Sequence, residues 1–170
     1  MKMLPVLLAL FLSLNAYSGE LDNVFSEGVF GTEWGQSSKE VAVIFPSGKK
    51  ETSYGSTRIT VEDGREVLGL SRSSSSKITF VFDTQDRLFI AGVAFDSGDD
   101  YAKLMRKLDT LFGGRENLEN DIGATGLIWK DEKTKLSVIY VPGMFSSETI
   151  LNIEHLGLQK NTKSKEDLGF

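Results

Sequence analysis

Residues 77–95, KITFVFDTQDRLFIAGVAF, carry the pattern that decides the fold. From Lys77 to Asp83 apolar and polar side chains alternate, with Ile78, Phe80 and Phe82 on one face and Lys77, Thr79 and Asp83 on the other. A period of two is the signature of a half-buried strand. Thr84-Gln85-Asp86 turns the chain, and Leu88 to Phe95 is apolar on both faces, as a strand in the middle of a sheet must be. Two such strands joined by a short turn seed an antiparallel sheet.

Toward the C-terminus, Asp96-Ser97-Gly98-Asp99 leads into a helical segment, Asp100 to Phe112. Tyr101, Leu104, Leu108, Leu111 and Phe112 form one stripe at helical spacing, and Asp99 and Asp100 sit at the positive end of the macrodipole. Gly113-Gly114 closes the helix. Burying each large apolar side chain of the stripe contributes about 2 kcal/mol, so this helix needs an apolar bed, and the Ile78, Phe80 and Phe82 face is the expected partner. Three further strands are expected at 127–130, 135–141 and 149–155, the last turning Leu151 and Ile153 inward.

Toward the N-terminus, Ser37-Ser38-Lys39-Glu40 has the form of a capping box, with Val41, Ile44 and Phe45 following and Pro46 stopping a short helix. Thr57 to Glu62 alternates with Ile59 and Val61 on one face. Asp63-Gly64 then suits a type I′ hairpin that returns the chain along 66–70. Ser71 to Ser76 reads as a solvated connection, and 19–36 as an irregular or extended lead-in. The order helix, four strands, helix, three strands predicts an α+β fold: two helix-plus-antiparallel-meander units with the helices packed on one face of an antiparallel sheet.

Three spans organise the 170 residues. Residues 1–18 read as a signal peptide, with Lys2 before the apolar run Leu4 to Leu14 and small residues at Ala16 and Ser18. Eleven apolar residues rise only about 16 Å as a helix, too little to cross a membrane. Residues 19–157 form a single domain, and 158–170 a polar tail. The expected location is periplasmic or secreted. With no cysteine there is no lipid-anchor residue, no membrane anchor in the mature chain, no disulfide framework and no thiolate metal site. The net charge of −5 becomes −6 once Lys2 is removed, which speaks against a nucleic-acid surface.

Few residues offer chemistry. Ser74-Ser75-Ser76-Lys77 matches the Ser-x-x-Lys nucleophile motif in letters, but it runs into a strand, where the two ends point to opposite sides. His155, the single histidine, is the one side chain suited to general base work near neutral pH. Asp96, Asp99 and Asp100, with Asp83 or Asp86 across the sheet, are candidate calcium ligands, against which stands helix capping. Trp34, Trp129 and Tyr140 lie near glycines or turns and serve either as core or as anchors for a partner. Trp34, Met144 and Phe145 are the candidate binding residues. No cofactor is implied.

Phe30-Gly31-Thr32-Glu33-Trp34-Gly35-Gln36-Ser37-Ser38-Lys39-Glu40-Val41 resembles the Trp-Gly-x-Ser-x-x-Glu-Val opening of small exported bacterial proteins of uncharacterised function. In those, a hairpin of the type Phe80-Val81-Phe82-Asp83 to Leu88 follows. The helix-then-meander pattern is similar to SmpA/OmlA-type outer-membrane assembly lipoproteins and, in tandem, to β-lactamase-inhibitor proteins, although this chain has no lipobox cysteine and one helix per meander instead of two. The resemblance implies a binding module without catalytic residues. The expected function is therefore an exported non-enzymatic module that contacts another protein of the envelope or extracellular space. The alternatives are a small secreted hydrolase using His155 with a carboxylate, and a calcium-dependent binding module.

Overall fold

In the computed structural model, residues 77–95 form the central hairpin, β5 (Lys77–Phe82) and β6 (Leu88–Phe95). They pair antiparallel with Ile78 opposite Val93 and Phe80 opposite Ala91, and the register shifts between Val81 and Phe82. The structure describes residues 20–53, 55–95, 97–114, 116–117, 125–143 and 147–158. The expected signal peptide, nearly all of the tail, and the candidates Asp96, Met144 and Phe145 lie outside them. Before β5 come α1 (Glu20–Phe25), β1 (Gly28–Val29), β2 (Thr32–Glu33), α2 (Ser38–Ile44), β3 (Lys49–Ser53) and β4 (Ser56–Glu62). After β6 come α3 (Gly98–Phe112), β7 (Glu116–Asn117), β8 (Thr125–Lys130), β9 (Thr134–Val141) and β10 (Glu148–His155).

The expected α+β class, with two helix-plus-meander units, is overturned. The described chain is mostly strand, with three helices, and β3 to β10 form one eight-stranded sheet in the order β3-β4-β5-β6-β10-β9-β8-β7. The last strand, β10, lies against β6, with Leu151 opposite Val93 and Ile153 opposite Ala91, so the two runs of strands are not separate units. The reason is already in β6. A strand apolar on both sides needs a neighbour at each edge, and without β10 its second edge would stand as an open row of amides and carbonyls. Helix α2 cannot carry a meander of its own, since it buries only Ser38 and Val41. The remaining described pair, β1 and β2, forms a separate two-stranded hairpin.

Register lines the apolar residues into rows along one face of the sheet. Ile59, Phe80, Ala91, Ile153, Leu136 and Trp129 stand side by side from β4 to β8, and Val61, Ile78, Val93, Leu151, Val138 and Leu127 form the next row. All are buried. Trp129 and its row-mates thus belong to the core. Rows on the opposite face hold Thr60, Thr79, Gly92, Asn152 and Ser137, with a Thr60–Thr79 hydroxyl pair at 3.3 Å.

Local signals hold where the partners are near in sequence. Ser37 caps α2 with both halves of the capping box formed, and Phe45 follows as its C-cap. Gly113 closes α3 at φ 68°. Three expectations fail. Helix α3 packs over β9 and β10, Tyr101 meeting Tyr140 at 5.8 Å between ring centroids, while Phe45 beside α2 takes the Phe80 surface at 4.9 Å. Leu111 falls at the margin of the stripe and is exposed. The Asp63-Gly64 hairpin does not form. The Asp63 carboxylate accepts from the Arg65 backbone and guanidinium, and Asp63 donates its own amide to Ser76, so β4 returns through β5 instead. Arg65 also holds the Asp63 carboxyl below the usual carboxylate range, its hydrogen bond outweighing burial.

Among the described residues no helix is long and apolar enough to cross a membrane.

Candidate functional site: an aromatic cleft and an apolar cavity

Two of the candidates named from the sequence, Trp34 and His155, meet. His155 ends β10 on the face that carries Leu151 and Ile153. Trp34 follows β2 and is drawn over it by backbone bonds: Gly35 donates to the Leu88 carbonyl at 2.9 Å, and Leu88 donates to the Gln36 carbonyl at 2.8 Å. The indole Nε1 donates to the Phe25 carbonyl at 2.6 Å, which fixes the ring. The Trp34 and His155 rings lie 6.0 Å apart, tilted by 44°. With Ser26, Glu27, Glu33 and Leu158 they line an open cleft of about 510 Å³.

The electrostatics favour a neutral imidazole. Burial lowers the His155 pKa below its ordinary value and Lys133 pushes the same way, while the residue's own backbone and, more weakly, Asp22 oppose them. Its Nδ1 is buried without a hydrogen-bond partner among the described residues. No carboxylate among the described residues therefore accepts a hydrogen bond from that nitrogen, the arrangement that would orient a histidine base. Glu27 and Glu33 stand exposed on the rim.

The aspartates separate. Asp99 and Asp100 occupy the first turn of α3, where Ser97 accepts from the Asp99 amide and Asp100 pairs with Lys103 at 3.1 Å. Asp83 is taken up by its own turn, accepting from the Gln85 and Arg87 amides and from the Arg87 guanidinium. Burial raises its pKa, and those bonds together more than offset it, leaving the carboxyl below its usual range. Asp86 accepts from the Ser38 amide. Among the described residues no three acidic or histidine side chains are grouped to hold a metal ion.

On the other side of the β1–β2 hairpin lies a site that the sequence reasoning missed. A cavity of about 190 Å³ opens over Leu136, Leu151 and Ile153, and every residue lining it has an apolar side chain or is glycine. Its rim is made by two tight turns of the same build. In Val29-Phe30-Gly31-Thr32, Val29 pairs with Thr32, and Phe30 and Gly31 have φ of 56° and 85°. In Val67-Leu68-Gly69-Leu70, Val67 and Leu70 exchange both amide bonds at 3.1 and 3.0 Å, and Leu68 and Gly69 have φ of 53° and 76°. Positive φ at both central positions makes each a type I′ turn, whose first position normally holds Asn, Asp or Gly. Here phenylalanine and leucine hold it, at a steric cost, and both side chains line the cavity. The signal for this was the repeated Val-apolar-Gly triplet, Val29-Phe30-Gly31 and Val67-Leu68-Gly69.

Leu68 also borders a second, shallower recess of about 350 Å³, walled by Lys103, Arg106 and Lys107 of α3. Compared with known protein families, with curated proteins and with solved structures, the chain matches none.

Proposed function

We propose that the protein is an exported, non-enzymatic binding module that acts by contact with another protein of the envelope or extracellular space, and that the Trp34 cleft is the contact site. The observation that carries this reading is the fixed Trp34 ring, half-buried and backed by His155, in an open cleft with Glu27 and Glu33 at its rim. A rigid aromatic floor is the kind of anchor that dominates interfaces, because it offers area without rotamer entropy. An aromatic face flanked by two carboxylates suits a cationic side chain of the partner.

Affinity capture from envelope extract, run in parallel with the wild type, Trp34→Ala and Glu27→Lys/Glu33→Lys, tests it. The expected result is a protein retained by the wild type and lost at least tenfold in both variants, with circular dichroism of the variants unchanged. A protein held equally well by wild type and both variants, or no protein held by the wild type, removes the reading.

A further inference from the structure

We infer that the apolar cavity and the cationic recess together form a site for a small amphiphilic anion, a single short acyl chain ending in a carboxylate. This does not rest on the Trp34 cleft, which lies on the far side of the β1–β2 hairpin.

The tail half is the cavity. About 150 Å³ of dry apolar cavity holds a benzene ring, so 190 Å³ takes a chain of roughly six to eight carbons. Its rim is built at a cost the fold alone does not require. Asparagine at either first turn position would relieve the backbone, yet Phe30 and Leu68 stand there and face the cavity. Val24 of α1 adds a further exposed apolar side chain at the lip.

The head half is the recess, and Leu68 is the wall common to both. In a chain of net charge −5, three cations line this one surface. Lys103 is matched by Asp100, whereas Arg106 and Lys107 have no acidic partner among the described residues. Lys107 reaches over the second turn, its Nζ 3.7 Å from where a Cβ on Gly69 would stand. A chain lying in the cavity and leaving past Leu68 therefore carries its terminal group toward Arg106 and Lys107. Charge complementarity selects an anion there, and the apolar lining selects an alkyl tail.

Isothermal titration of the purified protein with octanoate, octan-1-ol and octylammonium below their aggregation limits tests the site. Octanoate is expected to bind, with octan-1-ol at least fivefold weaker and octylammonium weaker still. Arg106→Glu/Lys107→Glu, two exposed positions whose reversal leaves the core intact, is expected to weaken octanoate at least tenfold and to leave octan-1-ol within twofold. Leu68→Asn is expected to weaken octanoate and octan-1-ol alike. Absence of octanoate binding, equal affinity for octanoate and octylammonium, or octanoate affinity unchanged by the double reversal would each overturn the proposal.

Discussion

One face of one sheet is covered in two different ways. The sheet residues are fully buried in both places, but over β4 to β6 a ring lies directly on them, Phe45 meeting Phe80 at 4.9 Å between centroids. Over the β10 and β9 residues Leu151, Ile153 and Leu136, the cover of α1, the β1–β2 hairpin and the 67–70 turn leaves a cavity of about 190 Å³. Both regions have the same alternating pattern beneath them. The difference lies in what sits above, because Phe45, at negative φ, packs its ring onto the first region, whereas the second is covered by two turns held at positive φ. Close packing is the default of protein interiors, and this opening, ringed by backbone at positive φ, departs from it.

The largest effect is expected in the first region. Phe80→Ala removes a fully buried ring and leaves a void that its tightly packed neighbours cannot fill, at a cost of about 3–5 kcal/mol in urea unfolding. A loss below about 1 kcal/mol would mean that this side is as loose as the other. Enlargement sharpens the contrast. Ala91→Leu forces extra volume between Phe80 and Ile153 in the same row and is expected to destabilise by about 1–3 kcal/mol. Val67→Leu adds a methylene beside the cavity and is expected to stay within about 0.5 kcal/mol of the wild type while lowering octanoate affinity. Equal costs for the two enlargements would erase the distinction between the regions.

What the sequence discloses follows the range of each interaction. The β5–β6 hairpin, the capping box at Ser37 and Glu40, and α3 ending at Gly113 rest on partners a few residues apart, and their signals are explicit. The join of β10 to β6 brings Thr149 to Glu154 against Ile90 to Phe95, and no local pattern announces it, although a strand apolar on both sides already asks for a second neighbour. Strand β3, Lys49–Ser53, is exposed along its whole length and so has no apolar alternation to betray it. Asp63-Gly64 has the better turn chemistry, but Arg65 claims the Asp63 carboxylate, and the type I′ turn forms at Leu68-Gly69. Of the site, Trp34 and His155 were legible as single residues. Their meeting was not, since it depends on backbone bonds between 35–36 and Leu88.

A smaller effect separates strain from packing on the open side. A bulky residue at left-handed φ costs about 1–2 kcal/mol, and asparagine is tolerated there. Leu68 is only half-buried, so Leu68→Asn gives up part of its burial and relieves the turn. The expected balance is a gain of about 0.5 kcal/mol in unfolding free energy, together with weaker octanoate binding. Stability that falls by 2 kcal/mol or more would show that Leu68 is a core residue of the same kind as Phe80 and that the rim stores no strain.

The smallest effect belongs to His155, at the cleft beside the open region. Its pKa in the folded chain is lowered, first by burial and then by Lys133, so above about pH 6.5, the ordinary histidine value, both folded and unfolded chains hold it neutral. As the pH falls through 6.5, the unfolded chain takes up the proton first. Stability then declines with falling pH until the folded histidine is protonated as well, below its lowered pKa. The melting temperature of the wild type is therefore expected to drop between pH 7.5 and pH 5.5 more steeply than that of His155→Gln, which has no group titrating in this window at that position. Parallel curves would mean that the imidazole is solvated as freely as in the unfolded chain, and that Trp34 does not shield it.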